Sequence, residues 1–311
     1  MYTGRMMPPP SPVLPSGIRG DGDGKWTIER GKDVPGTTTL PWDHRGPVAV
    51  RAEEGSRATL FLAVPATAGG EQILGADLAA GSSLMLIVLA AGLGEVKIRQ
   101  RITAGTNASC RLLNVTLGGK DVEQDVCATV EGAGGTSAVD WVFHAAGENT
   151  QRLSARNVFL AREGGGEIAM RGVAEGRAAV RCNGMVEIGE EGGGTGTYLR
   201  QDVLMLDATA KVDAVPGLEI KTNDVRAGHS ATVTKVSPEE LFYFASRGIP
   251  EEKARMMYIR GFLGEMLGKI EDDTVRRRIE REMEITLDPS ASLPFRASNG
   301  RAGTARGDTL A

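Results

Sequence analysis

Reactive chemistry in this chain would have to begin at its three cysteines. Cys110, Cys127 and Cys182 are an odd number at wide spacing, unlike the paired framework of a small secreted domain, so reduced thiols are expected. A free thiolate is a soft ligand for iron or sulfur, whereas a thiol in apolar surroundings is inert packing. Packing is the favoured reading of all three. Cys182 falls in mid-strand in Val180-Arg181-Cys182-Asn183-Gly184, and the 17-residue separation of Cys110 and Cys127 would suit neighbouring turns of a solenoid. Phosphate chemistry finds no support. No Gly-x-x-x-x-Gly-Lys-[Ser/Thr] loop occurs, and the glycine runs Gly164–Gly166 and Gly192–Gly194 lack the lysine that reaches a phosphate. The chain is not expected to hydrolyse ATP, nor to be an enzyme.

The elements that must position these side chains are short strands. From Ala58 to Val236, alternating apolar runs such as Glu95-Val96-Lys97-Ile98-Arg99-Gln100-Arg101-Ile102 switch with glycine- or asparagine-containing corners, which is the period of half-buried strands. Forty-two glycines and 14 prolines in 311 residues exceed the usual roughly 12%. With aromatics at 5%, the core must be mainly aliphatic. So many strands without helical periodicity leave a sandwich, a barrel or a β-solenoid. Small corners and a single Asn-Gly signal, Asn183-Gly184, favour the solenoid, at roughly 20 residues per turn and on the order of nine turns.

The pattern changes at Ser237. Ser237-Pro238-Glu239-Glu240 is a capping box, and the helix it opens, through Leu241, Phe242 and Phe244, should stop at Gly248. Pro250 should start a second helix reaching about Ile270, and a third should run from Asp273 to about Leu287. The second carries a wide apolar stripe together with Gly261, Gly264 and Gly268. Each glycine costs roughly 1 kcal/mol of helix stability relative to alanine. Either another backbone approaches along that strip, or the helix packs on the β-domain. The domains expected are therefore a disordered tail at 1–24, a lead-in at 25–57, the β-core at 58–236, a helical domain at 237–287 and a second disordered tail at 288–311.

Net charge of −4 offers no field for nucleic acid. The first 24 residues contain no apolar stretch fit for an export signal or a membrane span, so a cytoplasmic protein free of membrane is expected.

Gly172-Val173-Ala174-Glu175-Gly176-Arg177, Asn183-Gly184, Val215-Pro216-Gly217-Leu218-Glu219-Ile220, Asn223-Asp224-Val225, His229-Ser230-Ala231-Thr232-Val233 and Leu241-Phe242-Tyr243-Phe244-Ala245-Ser246-Arg247-Gly248-Ile249-Pro250, continued by Gly261-Phe262, together resemble the C-terminal core of the SufB/SufD family. Order and spacing over so many short motifs make the signal specific between Gly172 and Ile270. The resemblance implies a mainly β fold, a right-handed parallel β-helix with a small C-terminal α-helical domain. It also implies docking of a SufC-type ABC ATPase, pairing with itself or with a SufB-type chain, and transient handling of an Fe-S cluster at the dimer interface.

His229 is the position the resemblance marks as a metal ligand. Glu219 and Asp224, near it in sequence, are candidate oxygen ligands, and Cys182 is a candidate thiolate. Ala208-Thr209-Ala210-Lys211 stands where SufB-type scaffolds carry a cysteine, and Gly228 and Ser230 stand where they carry acids. In both respects the chain is similar to SufD. Docking of the ATPase is assigned by resemblance to Leu241, Phe242, Phe244, Arg247, Gly248, Tyr258, Gly261 and Phe262. Two alternatives remain: a carbohydrate-active β-helix enzyme, against which stands the lack of paired acids in a cleft, and a structural SufD-like subunit that never holds a cluster.

Overall fold

The structure is a computed structural model that describes residues 14–42 and 46–287. In chain order the strands are β1 (Ile18–Gly20), β2 (Lys25–Ile28), β3 (Asp33–Leu40), β4 (Val48–Ala52), β5 (Arg57–Ala63), β6 (Gly70–Leu78), β7 (Ser83–Ala91), β8 (Glu95–Ala104) and β9 (Ser109–Leu117). They continue as β10 (Asp121–Val130), β11 (Thr136–Ala145), β12 (Thr150–Phe159), β13 (Gly165–Ala174), β14 (Ala179–Ile188), β15 (Thr195–Met205), β16 (Lys211–Ile220) and β17 (Val225–Lys235). Helices α1 (Pro238–Ser246), α2 (Glu251–Leu267) and α3 (Asp273–Leu287) follow.

Successive strands alternate between two sheets. One runs β1-β2-β4-β6-β8-β10-β12-β14-β16 and the other β17-β15-β13-β11-β9-β7-β5-β3. All pairings from β2 onward are parallel. This is a parallel β-solenoid with two strands per turn. Lys25 pairs with Ala49, and Ala179 with Lys211, so a turn grows from 24 to 32 residues along the chain. The expectation of nine turns of about 20 residues is thereby corrected to fewer, longer ones, because each turn holds two strands of up to eleven residues with a corner after each.

The solenoid also starts earlier than expected. β2, β3 and β4 fall in the segment read as a lead-in, and β1 in the segment read as a tail. Glycines with positive φ at Gly22 and Gly24 make the turn that folds β1 back antiparallel on β2. The expected tail at 288–311 lies outside the described residues. Asn183-Gly184 is no hairpin: it sits within β14, where a Cβ on Gly184 would come within 2.5 Å of Leu199. A Cβ on Gly172 would meet the Phe143 ring at 1.9 Å, so that motif glycine makes room for the aromatic ring in register with it on the neighbouring strand β11.

The two sheets bury different faces. Even strands alternate strictly, as in β10 and β14, with aliphatic side chains inward and charges outward. Lys97–Glu123, Arg101–Asp125 and Arg156–Glu187 link neighbouring rungs on that outer face. Odd strands end in unbroken buried runs, as in β9 and β11, because α2 and α3 cover their outer face. A second core forms there from Leu113, Val115, Val142 and Val173 of the sheet with Ile259, Leu263, Ile279 and Met283 of the helices. The interior is not purely aliphatic. Gln100 and Asn114 exchange amide hydrogen bonds of 3.0 and 2.8 Å, and Trp141 Nε1 donates to Thr116 at 3.0 Å, satisfying groups whose isolated burial would be costly.

Candidate functional site

The two ends of the solenoid differ. At the N-terminal end β1 caps β2, and edge strand β3 is interrupted by an irregularity between Asp33 and Thr37 that contains Pro35 and Gly36, devices that discourage further pairing. At the other end β16 and β17 are the last strands of their sheets, and among the described residues nothing pairs with their free edges. Their inward residues Val212, Ala214, Leu218, Val225 and Ala227 are only half-buried against the core. Ile220 and Val233 are about as open to solvent as surface residues, at 40% and 44%. The result is an apolar, uncapped mouth.

His229 lies in this mouth. It is in register with Leu199 of β15, an inward residue, yet it is exposed because no turn covers it. Glu219 is in register with Glu187 and so faces outward from the opposite sheet, forming an ion pair with Lys221 at 3.0 Å. Asp224 is exposed in the turn between β16 and β17. Cys182 points inward one turn below, fully buried, and burial pushes its thiol up to about 12. Cys110 is likewise inward, with its thiol at about 12 for the same reason. Cys127 is half-buried on the outer face of the even sheet, between Arg101 and Arg156 in register. Cys110 and Cys127 therefore sit on opposite sheets. Among the described residues, no group of three or more histidine, cysteine, aspartate or glutamate side chains is placed to hold a metal ion.

The helical elements match their sequence signals. Ser237 Oγ accepts from the Glu240 amide at 3.2 Å, and Glu240 Oε2 accepts from the Ser237 amide at 2.8 Å. Gly248, at φ +73°, ends the connection after α1. Phe242 and Tyr243 project into solvent at 72% and 56%, and Met257 of α2 is also exposed. Arg247 lies 5.4 Å over the Tyr243 ring. Phe244 turns inward, edge-to-face with Tyr258 at 5.5 Å. Phe262 is half-buried under the Arg171 guanidinium, 5.0 Å away. The Leu241 side chain lies outside the described residues. A Cβ on Gly261 or Gly264 would meet nothing within 4 Å, so the glycine strip is left uncovered while α2 packs on the sheet through its apolar residues.

One constellation escaped the sequence reading. Fully buried His144 of β11 places Nε2 2.8 Å from Glu175 Oε1. Glu175 Oε2 and Asp207 Oδ2 both face Arg255 Nη2 of α2, at 3.4 and 2.5 Å, and Asp207 Oδ2 also accepts the Gly176 amide at 2.6 Å. Burial works against both carboxylates, but His144 and Arg255 on Glu175, and the Gly176 amide and Arg255 on Asp207, outweigh it and hold both below their ordinary range. Their folded values thus lie under the unfolded ones of about 4.3 and 3.9. The stabilisation is complete above the unfolded values and is lost as pH falls through the folded ones. Between pH 6 and 3 the melting temperature of the wild type, followed by circular dichroism, is expected to fall by about 2 °C or more beyond the fall in Arg255→Gln. Parallel curves would show that Arg255 does not set these carboxylates.

Among the described residues no helix is long and apolar enough to cross a membrane. The family profile described as "SUF system FeS cluster assembly, SufBD core domain" matches residues 45–262. Iron-sulfur cluster assembly SufBD family proteins of Mycobacterium bovis and Mycobacterium leprae are each 34% identical over 196 residues, covering 58% of this chain and 49% and 50% of theirs. A second such protein of M. bovis is 28% identical over 190 residues, covering 60% of this chain and 22% of its own. The aligned region thus spans about half the length, or less, of the curated relatives it matches. With the profile running through both the solenoid and the first helices, the chain belongs to the SufBD family of iron-sulfur cluster assembly proteins.

Proposed function

We propose that this chain is a scaffold partner in iron-sulfur cluster assembly. It docks a SufC-type ABC ATPase through α1 and pairs through its open end with a second copy or a SufB-type chain. The observation that carries the reading is the uncovered aromatic pair on α1, Phe242 at 72% and Tyr243 at 56% exposure. Aromatic side chains of this kind are the usual anchors of a protein interface. The ATPase would supply the phosphate chemistry for which this sequence has no lysine-bearing loop. Phe242→Glu combined with Tyr243→Glu is expected to weaken co-elution with the ATPase by about 100-fold or more. The melting temperature should stay unchanged, since neither side chain belongs to either core. Undiminished binding by the double variant would remove the docking reading.

The chemistry of the donors favours a partner that guides the cluster as cargo over one that ligates it through thiolates. Cys110 and Cys182 are buried with thiols raised to about 12, and a thiol must lose its proton to bind iron. Anaerobic incubation of the chain alone with iron and sulfide is expected to leave no visible cluster absorbance. A stable absorbance that disappeared in Cys182→Ser would make it a scaffold in its own right.

A further inference from the structure

Arg255 lies one turn into α2, just past the elbow Arg247–Pro250 that joins it to α1. Its guanidinium meets two turns of the solenoid at once. Asp207 belongs to the turn that leads into β16, and Glu175 to the turn that leads into β14. β16 is the edge strand of the open mouth, and β14 carries Cys182. Asp207 also accepts the amide of Gly176 in the neighbouring turn, and Glu175 gives its other oxygen to His144 of β11. One cation therefore fastens three successive turns to the start of α2, with only 19% of its side chain exposed.

Farther along the helix, Arg171 of β13 pairs with Glu265 and donates to the Phe262 carbonyl. Lys269 reaches buried Asp140 of β11 at 2.5 Å. From Arg255 to the end of α2 at Leu267 is roughly 18 Å of helix at the usual rise, anchored near its start by Arg255 and just past its end by Lys269. By contrast, among the described residues no side-chain hydrogen bond or ion pair joins α1 to the solenoid. α1 rests on α2 through Phe244 and Tyr258.

We propose that Arg255 is a coupling strut that makes α2 and the turns entering β14 and β16 move as one body, so that a load taken up on α1 is delivered to the open end of the solenoid. The geometry stands by itself, and its use rests on the docking reading above. A force on α1 passes to α2 at the elbow, within a few residues of Arg255. Arg255 Nη2 is shared by the carboxylates of two solenoid turns while Nη1 faces Glu251 of α2 at 3.6 Å, so the planar guanidinium is held from three sides and resists displacement more than a single ion pair would.

Spin labels at Met257→Cys and Val215→Cys, both exposed positions, would report the separation of α2 from β16. Cys127→Ser would silence the half-buried thiol. In the full chain, Arg255→Met is expected to widen the measured distance distribution at least twofold, and Asp207→Asn should widen it in the same direction. Arg152→Met, which breaks ion pairs on the opposite face of the solenoid, should leave it unchanged. An unaltered width in Arg255→Met overturns the strut, and should that variant not fold, Asp207→Asn decides. Adding a SufC-type ATPase should shift the distribution with Arg255 present but not in Arg255→Met. A shift that survives in Arg255→Met also overturns the proposal. If the ATPase binds neither protein, docking fails while the width comparison still judges the strut.

Discussion

A chain ending at Val236 is expected to aggregate, not to persist as a β-domain lacking its helices. Removing α2 and α3 would uncover the outer face of the odd sheet, where Phe61, Ile87, Leu113, Val115, Val142 and Val173 are at most 1% exposed. Each such side chain gains about 1.5–3 kcal/mol on full burial. Six of them amount to roughly 9–18 kcal/mol, which rivals the 5–15 kcal/mol net stability of a typical domain. An uncovered apolar face of that extent is also a site of association. The point variant Leu263→Asp is expected to fail in the same way, since Leu263 is fully buried in the helix–sheet core and an unpaired charge there is not tolerated. Size-exclusion chromatography with a dye for exposed apolar surface would decide. A soluble, unaggregated 1–236 fragment with intact β-sheet circular dichroism would mean that the helices are an appendage and not half of a core.

The same contrast explains what was legible in the sequence. Strand identity was, because inward and outward residues differ in polarity at period two along Glu95–Ile102 and its counterparts. The helix caps were as well, since Ser237, Glu240 and Gly248 act within a few residues of one another. The double-faced burial of the odd sheet is visible in hindsight as unbroken runs such as Leu84–Leu89, which alternate in no way and so read as a strand covered on both faces. The early strands were missed because glycine and proline in 14–40 report on tight turns there, not on absence of structure. The Arg255 constellation was out of reach for a different reason: its partners are 48 and 80 residues away, and only the solenoid's stacking brings two turns under one guanidinium. Glu175 did lie in a recognised motif, but the motif gave no hint of its role. The candidate metal residues fared unevenly. Register puts His229 in the mouth and Glu219 on the outside, a distinction of facing that sequence proximity hides.

At the open end, Ile220→Glu combined with Val233→Glu is expected to raise the dissociation constant of the proposed end-to-end pair by at least about 100-fold, close to 3 kcal/mol. The free chain should keep its melting temperature. Both residues face inward by register, Ile220 with Ile188 and Val233 with Val203, yet both stand open to solvent in the single chain. Glutamate at these places is therefore hydrated in the monomer, but a second chain closing the mouth would have to bury two unpaired carboxylates. Pairing is expected to close after two chains because, among the described residues, only one end is unprotected: β1 and the interruption in β3 block the other. A solenoid open at both ends would propagate into a filament. Sedimentation equilibrium of the chain alone and mixed with a SufB-type chain tests both points. Equal affinity of variant and wild type would move the interface away from β16 and β17, and growth beyond dimers would show that the N-terminal end is not closed.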